Sequence, residues 1–251
     1  MNEKRMRDRL VQLGDTHFHE PKKEIQFTKV PSANALLNDL TGHPHAFVLA
    51  CIMDRQVKAE KAWLIPCLIS EKLQGFSMKV LRTLSRNKMK RLMTKPQPLH
   101  RFADKMSECF HSAVQHIANH YDGDASRIWT GRPSSAEVVY RFLKFDGVGL
   151  KISSMAANIL ARDFKIPFAD YYAIDISADV RVRRVFARLG LCDIDPTVEQ
   201  VIYKARSLHP EFPGIMDLSC WEIGGEWCTA SNPECSGCSM KDLCPTANRK
   251  A

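Results

Sequence analysis

The chain has 251 residues, 45% of them hydrophobic and 25% charged, proportions that belong to a folded globular protein and exclude a disordered one. At about 150 residues per domain, this length allows one large domain or two small ones. Lys and Arg outnumber Asp and Glu by 36 to 28, a net charge of +8, and such an excess favours a polyanionic partner.

The N-terminal MNEKRMRDRL is charged and offers no apolar stretch for a secretory signal. The longest apolar runs, Ala46–Met53 and Ala62–Ile69, fall far short of the roughly 20 residues a membrane span needs. An intracellular protein without a membrane partner is expected, in the cytoplasm or nucleoid of a prokaryote or in a nucleus. From His45 to Ser70 the apolar periodicity reads as one helix that ends or kinks at Pro66. Between residues 79 and 105 lie Lys79, Arg82, Arg86, Lys88, Lys90, Arg91, Lys95, Arg101 and Lys105, with Asp104 as the sole acid. A solvated helix normally mixes signs for i,i+4 pairing, so this stretch reads as a phosphate track or a basic surface. Across His100–His120, Phe102, Met106, Cys109, Phe110, Ala113, Val114 and Ile117 recur at helical steps and form one apolar face.

The next segment, about 134–164, is the most informative. Ser134 followed by Glu137, with Pro133 ahead of them, is a helix-start signature. Val138, Val139, Phe142 and Leu143 then make an apolar face. Phe145-Asp146-Gly147-Val148-Gly149 is too glycine-rich to continue the helix. Ile152, Met155, Ala156, Ile159 and Leu160 start a second stripe. The pattern is helix, tight turn, helix. Glycines let backbone N–H groups approach an anion, and the second helix aims its positive end at the turn. The N–H groups of Gly147, Val148 and Gly149 could thus hold a DNA phosphate without reading sequence, with Lys151 beside it one turn into the helix. An ordinary helix connection capped by glycine is the plainer alternative.

Nine cysteines in an intracellular chain are not read as disulfides. Cys51, Cys67, Cys109, Cys192 and Cys220 are scattered and suit small core positions. Cys228, Cys235, Cys238 and Cys244 instead crowd together as C-x6-C-x2-C-x5-C in a polar, turn-rich segment. Four thiolates converging from a loop need a cation or a cluster to offset their repulsion. Spacing alone leaves both zinc and an iron–sulfur cluster open.

Taken together these motifs resemble the helix–hairpin–helix DNA glycosylase superfamily, in its iron–sulfur branch with endonuclease III and the adenine glycosylases. Phe145–Lys151 resembles the hairpin, Asp179-Val180-Arg181-Val182-Arg183-Arg184-Val185 the family's aspartate motif, and the four cysteines its cluster loop. Met53-Asp54-Arg55-Gln56 resembles the site of a glutamine that wedges into the duplex, and Glu222-Ile223-Gly224 also fits this branch. The resemblance covers about 44–244. It implies an all-α, two-lobed fold: a six-helix domain at 41–165, and a cluster domain from 1–40 plus 166–251 ending in a 4Fe–4S loop at 228–244. The implied partner is double-stranded DNA carrying a lesion or modified base, bound by a monomer.

For the site, the resemblance implies an N-glycosylase in which Gln56 fills the gap left by a flipped base. Asp179 would stabilise charge at C1′, and Lys151, activated by the helix end and neighbouring cations, would attack C1′ to give a Schiff base and β-elimination. A monofunctional glycosylase using water, and a scaffold that only binds abasic or distorted DNA, are the alternatives, beside a zinc-stabilised DNA-binding protein. Three departures stand out. Asp146 replaces the hairpin proline, and Arg181 replaces a small polar residue. The Lys151–Asp179 interval is also longer than in endonuclease III and carries Phe168, Tyr171, Tyr172 and Asp175. Asp175 rivals Asp179 as the acid, but only Asp179 keeps Arg184 and Val185 in register. The tyrosines offer a stacking surface for a base or ordinary packing.

Overall fold

A computed structural model describes residues 2–248. Its helices are α1 (Asn2–His19), α2 (Pro31–Asn38), α3 (Pro44–Met53), α4 (Ala59–Leu73), α5 (Met78–Leu81), α6 (Arg86–Thr94) and α7 (Ala103–His120). They continue with α8 (Ser135–Leu143), α9 (Leu150–Arg162), α10 (Val180–Arg188), α11 (Val198–Leu208), α12 (Asp217–Glu226) and α13 (Pro245–Asn248). No strand occurs among the described residues, so the all-α expectation holds. None of the helices is long and apolar enough to cross a membrane.

The chain divides into two compact units. One, the middle unit, holds Lys23–Pro133 and Tyr140–Ala156; the other, the end unit, holds the N-terminal segment through Lys22, Ser134–Val139, and the chain from Ala157 onward. The middle unit thus begins at residue 23 rather than 41, because α2 packs on α3 and α4.

In the middle unit α3 is the central helix. Its residues are apolar nearly all round, and every one from Pro44 to Met53 is buried, as a helix without a polar face must be. It packs against α2, α4 and α7. The expected long helix over 45–70 is in fact two, α3 and α4, broken at Asp54–Lys58 where Gln56 adopts φ 54°. Pro66 lies inside α4 and does not end it. The break falls where charged residues interrupt the apolar pattern rather than at the proline. In α7 the forecast face is buried from Met106 to Ile117, but Phe102 precedes the helix as its N-cap and stays exposed.

The end unit packs α1 against α12, and α10 against α11 and α12. Gly224 is required at the α10–α12 crossing, where a Cβ would sit 2.7 Å from the Cβ of Arg181. Helices α8 and α9 contribute residues to both units. Ser134 Oγ accepts the Glu137 N–H at 3.2 Å, the cap that the sequence announced. Leu143, expected on the buried face of α8, is instead 38% exposed at its end.

Candidate catalytic and nucleic-acid site

The turn between α8 and α9 lies where the glycines place it. Gly147 has φ +85°, and a Cβ there would come 3.0 Å from Cys109 Sγ of α7, so both the backbone and the close approach demand glycine. Gly149 meets neither constraint. The Val148 N–H is already spent on Phe145 O at 3.1 Å, which removes it from the phosphate donors expected of Gly147, Val148 and Gly149. Asp146 does not cap α9. It accepts a 2.6 Å hydrogen bond from Ser112 Oγ and ties the turn to α7.

Lys151 is the second residue of α9, in its first turn rather than one turn further in. Its Nζ donates to Asp54 Oδ2 at 2.8 Å. The lysine side chain is 38% exposed and the carboxylate 8%, so one partner faces solvent while the other is buried. The group against the amine is thus a carboxylate. Asp54 stands just past the end of α3 and carried no role in the sequence reading. Its signal was an acid abutting the apolar run Ala46–Met53. Nearby, burial pushes the Cys51 thiol well up and the His100 imidazole down, which marks the surroundings as dry.

Gln56 is exposed in the same loop, two residues beyond Asp54, and its left-handed backbone is uncommon for a non-glycine residue. Arg55 reaches the hairpin, its Nη1 only 3.4 Å from where a Gly147 Cβ would be. The middle unit therefore brings Lys151, Asp54, the Gln56 loop and the hairpin turn together. All nine basic residues between 79 and 105 are exposed; two of them pair with acids, Lys90 with Asp104 at 2.9 Å and Lys105 with Glu108 at 3.1 Å.

Asp179 belongs to the end unit. It is the N-cap of α10, its Oδ1 accepting the N–H groups of Arg181 at 2.8 Å and Val182 at 2.9 Å. Asp175 is 4% exposed and gripped by the Arg206 guanidinium through bonds of 2.7 and 2.8 Å, the arrangement of a structural ion pair. Another carboxylate, missed in the sequence, holds the segment just ahead of Asp179: Asp217 accepts from the Ser177 N–H at 2.6 Å and Ser177 Oγ at 3.2 Å. Burial raises the Asp217 carboxyl to about 6, against the opposing pull of Arg162. In the longer interval, Phe168 and Tyr171 serve packing, Tyr171 meeting Phe18 at 5.5 Å and Phe212 at 5.1 Å between ring centres. Only Tyr172, 55% exposed, is left to stack on anything else.

Cys228, Cys235, Cys238 and Cys244 line one small cavity, with Val185, Ile223 and Met240 in its apolar wall. Burial raises the Cys238 thiol, and the other three cysteines raise it further; this crowding of like thiolates is what a cationic group would relieve. Arg188 donates to Cys228 Sγ at 3.4 Å and to Thr229 O at 2.6 Å, and Arg184 to Cys228 O at 2.6 Å. Four soft thiolates around one cavity are a donor set that suits tetrahedral zinc and an iron–sulfur cluster alike.

Residues 228–244 match the family model of the iron–sulfur binding domain of endonuclease III, and the cofactor this assigns is a 4Fe–4S cluster. No curated protein matches the chain. Among solved structures, a non-covalent endonuclease III–DNA complex aligns with TM-score 0.66 at 16% identity, over 100% of this chain and 98% of that one. A thermostable thymine-DNA glycosylase aligns with TM-score 0.63 at 14% identity, over 99% and 97%. The Clostridium acetobutylicum 8-oxoguanine glycosylase/lyase, in complex with double-stranded DNA, aligns with TM-score 0.58 at 15% identity, over 90% and 69%. At such identities the likeness is one of fold. The chain has the fold of endonuclease III, and its residues 228–244 match the iron–sulfur binding domain of that family.

Proposed function

We propose that this chain is a DNA glycosylase that rotates a damaged, mismatched or modified base out of the duplex and cleaves its N-glycosidic bond. It then cuts the abasic strand by β-elimination through Lys151. The observation that carries the reading is an amine in the first turn of the hairpin's second helix, partly exposed and held by a buried carboxylate. Extrusion of the base costs a few kcal/mol, and Gln56, projecting from its strained loop, would occupy the gap. The hairpin would hold a phosphate through Gly147, Gly149 and the start of α9. Asp179 would stabilise positive charge at C1′; its use as a helix cap fixes its orientation, and the ion pair on Asp175 speaks against that rival.

Cys228, Cys235, Cys238 and Cys244 would ligate the cluster. When bound it would supply the iron positions to which those thiolates bind and so order the surrounding loop, and Arg184 and Arg188 hold the loop's backbone from α10. The exposed basic residues of 79–105 would add sequence-independent phosphate attraction.

The test is borohydride trapping on a duplex with an abasic site. A covalent adduct that disappears in Lys151→Ala supports the lyase. Base release with strand cleavage only after alkali would make the enzyme monofunctional, and no base release across a panel of lesion duplexes would leave a binding protein.

A further inference from the structure

We propose that Asp54 is a positioning residue for Lys151, holding its amine at the end of α3 and accepting its proton as the amine attacks. The proposal rests on the lyase reading above. A carboxylate at the C-terminal end of a helix opposes the helix dipole, which favours cations there. Burial at 7% exposure adds a desolvation cost. Asp54 violates both local preferences, and such violations concentrate at functional sites. Among the described residues the Lys151 ammonium is its only side-chain hydrogen-bond partner.

The exposures of the pair resemble those of the structural pair Arg206–Asp175, whose cation is 43% and whose acid is 6% exposed; what sets this pair apart is that its exposed partner is an amine, a group that can act as a nucleophile once it gives up a proton. Here the acid is buried and fixed to a rigid helix, while the amine keeps an open side. Asp54 takes one donor of the amine, and the exposed part of the lysine side chain leaves room for an incoming carbon.

At an abasic site the step balances as follows. The Lys151 ammonium passes one proton to Asp54 Oδ2. The freed lone pair forms the Nζ–C1′ bond as the carbonyl π pair moves onto oxygen. That oxygen takes back the proton and a second one from nitrogen, and leaves as water. The products are the iminium and one water, with Asp54 returned to its carboxylate.

The experiment uses the cluster-loaded protein and two duplexes, one with a natural abasic site and one with a tetrahydrofuran analogue that cannot form a Schiff base. Asp54→Asn is expected to bind the analogue within about twofold of wild type and to slow single-turnover trapping by about 100-fold, the scale of a lost proton acceptor. Asp54→Ala with added formate is expected to recover part of the trapping rate, and it serves in place of Asp54→Asn should that variant not fold. Trapping at the wild-type rate in either variant overturns the proposal. A parallel loss of binding and trapping that formate does not relieve also overturns it, since the pair would then be scaffold alone. If wild type releases bases but forms no adduct, the lyase reading fails and takes the role of Asp54 with it; if only Lys151→Ala abolishes the adduct, that reading stands and the role of Asp54 falls.

Discussion

The two units hold their functional residues by different means. In the middle unit, Lys151 pairs with an acid at the end of a helix whose side chains from Phe47 to Met53 are all fully buried. Each large apolar residue of that kind contributes about 1.5–3 kcal/mol by burial, so the anchor of the amine is the core itself. In the end unit the cysteine loop has little core beyond Met240 and Leu243. It is held by directional bonds instead: Arg184 and Arg188 to carbonyls of 224–230, Arg9 to Ser239 O at 2.9 Å, and Thr246 Oγ1 to Arg188 O at 2.8 Å. A dry core tolerates loss of a surface contact, whereas a loop held by point contacts depends on whatever completes it. The difference separates a helix that stands on packing from a loop that depends on its cofactor.

The largest effect should come from Cys238→Ser. It is expected to abolish the visible absorbance of the cluster and to open residues 228–248 to protease, while hydrogen exchange in α3 keeps its protection. Equal loss of protection in both regions would break the contrast. Leu49→Ala should cost about 2–5 kcal/mol through the cavity it leaves, read as a lower denaturation midpoint with the cluster absorbance retained until unfolding.

Opposite pH responses sharpen the comparison further. Asp217 in the end unit is raised from 3.8 to about 6, and His45 in the middle unit is lowered from 6.5 to about 4, chiefly by burial in each case. The raised acid contributes stability that is full below pH 3.8 and lost as pH rises through about 6. The depressed base contributes stability that is full above 6.5 and lost as pH falls through about 4. At about 1.4 kcal/mol per pH unit, either displacement is worth about 3 kcal/mol. Asp217→Asn should therefore gain on wild type as pH rises from 4 to 6, and His45→Phe should gain on it as pH falls from 6.5 to 4, both read by chemical denaturation across pH. The smallest effect belongs to the exposed pair Lys90–Asp104, with side chains 58% and 72% exposed. Asp104→Asn should change stability by under about 1 kcal/mol and serves as the control for the others.

Much of this was legible in the sequence because it follows from local chemistry. The glycine turn, the Ser134 cap, the α7 face and the four-cysteine spacing each arise from residues close together in the chain. Pro66 misled because a single broken hydrogen bond inside a buried helix is outweighed by packing of Trp63, Ile65 and Ile69. Asp54 and Asp217 were invisible for the reverse reason: each acts through a residue 97 or 40 positions away, and no local pattern encodes such a meeting. The tyrosines of the long interval were ambiguous for the same cause, since Phe18 and Phe212, which enclose Tyr171, lie far from it in the chain.

One feature of the end unit bears on how the molecule is made. Helix α1 packs on α12 and on the turn at Pro213–Met216, with Met6 and Leu10 buried there. A ribosome releases α1 some two hundred residues before those partners exist (on the order of ten seconds or more at 5–20 residues per second). Through that time its oily side has no native place to rest, while the middle unit can already close around α3. Helix α1 is thus made long before it can find its seat, and a chaperone that shields amphipathic segments would be most useful to this chain while α1 waits for its partners.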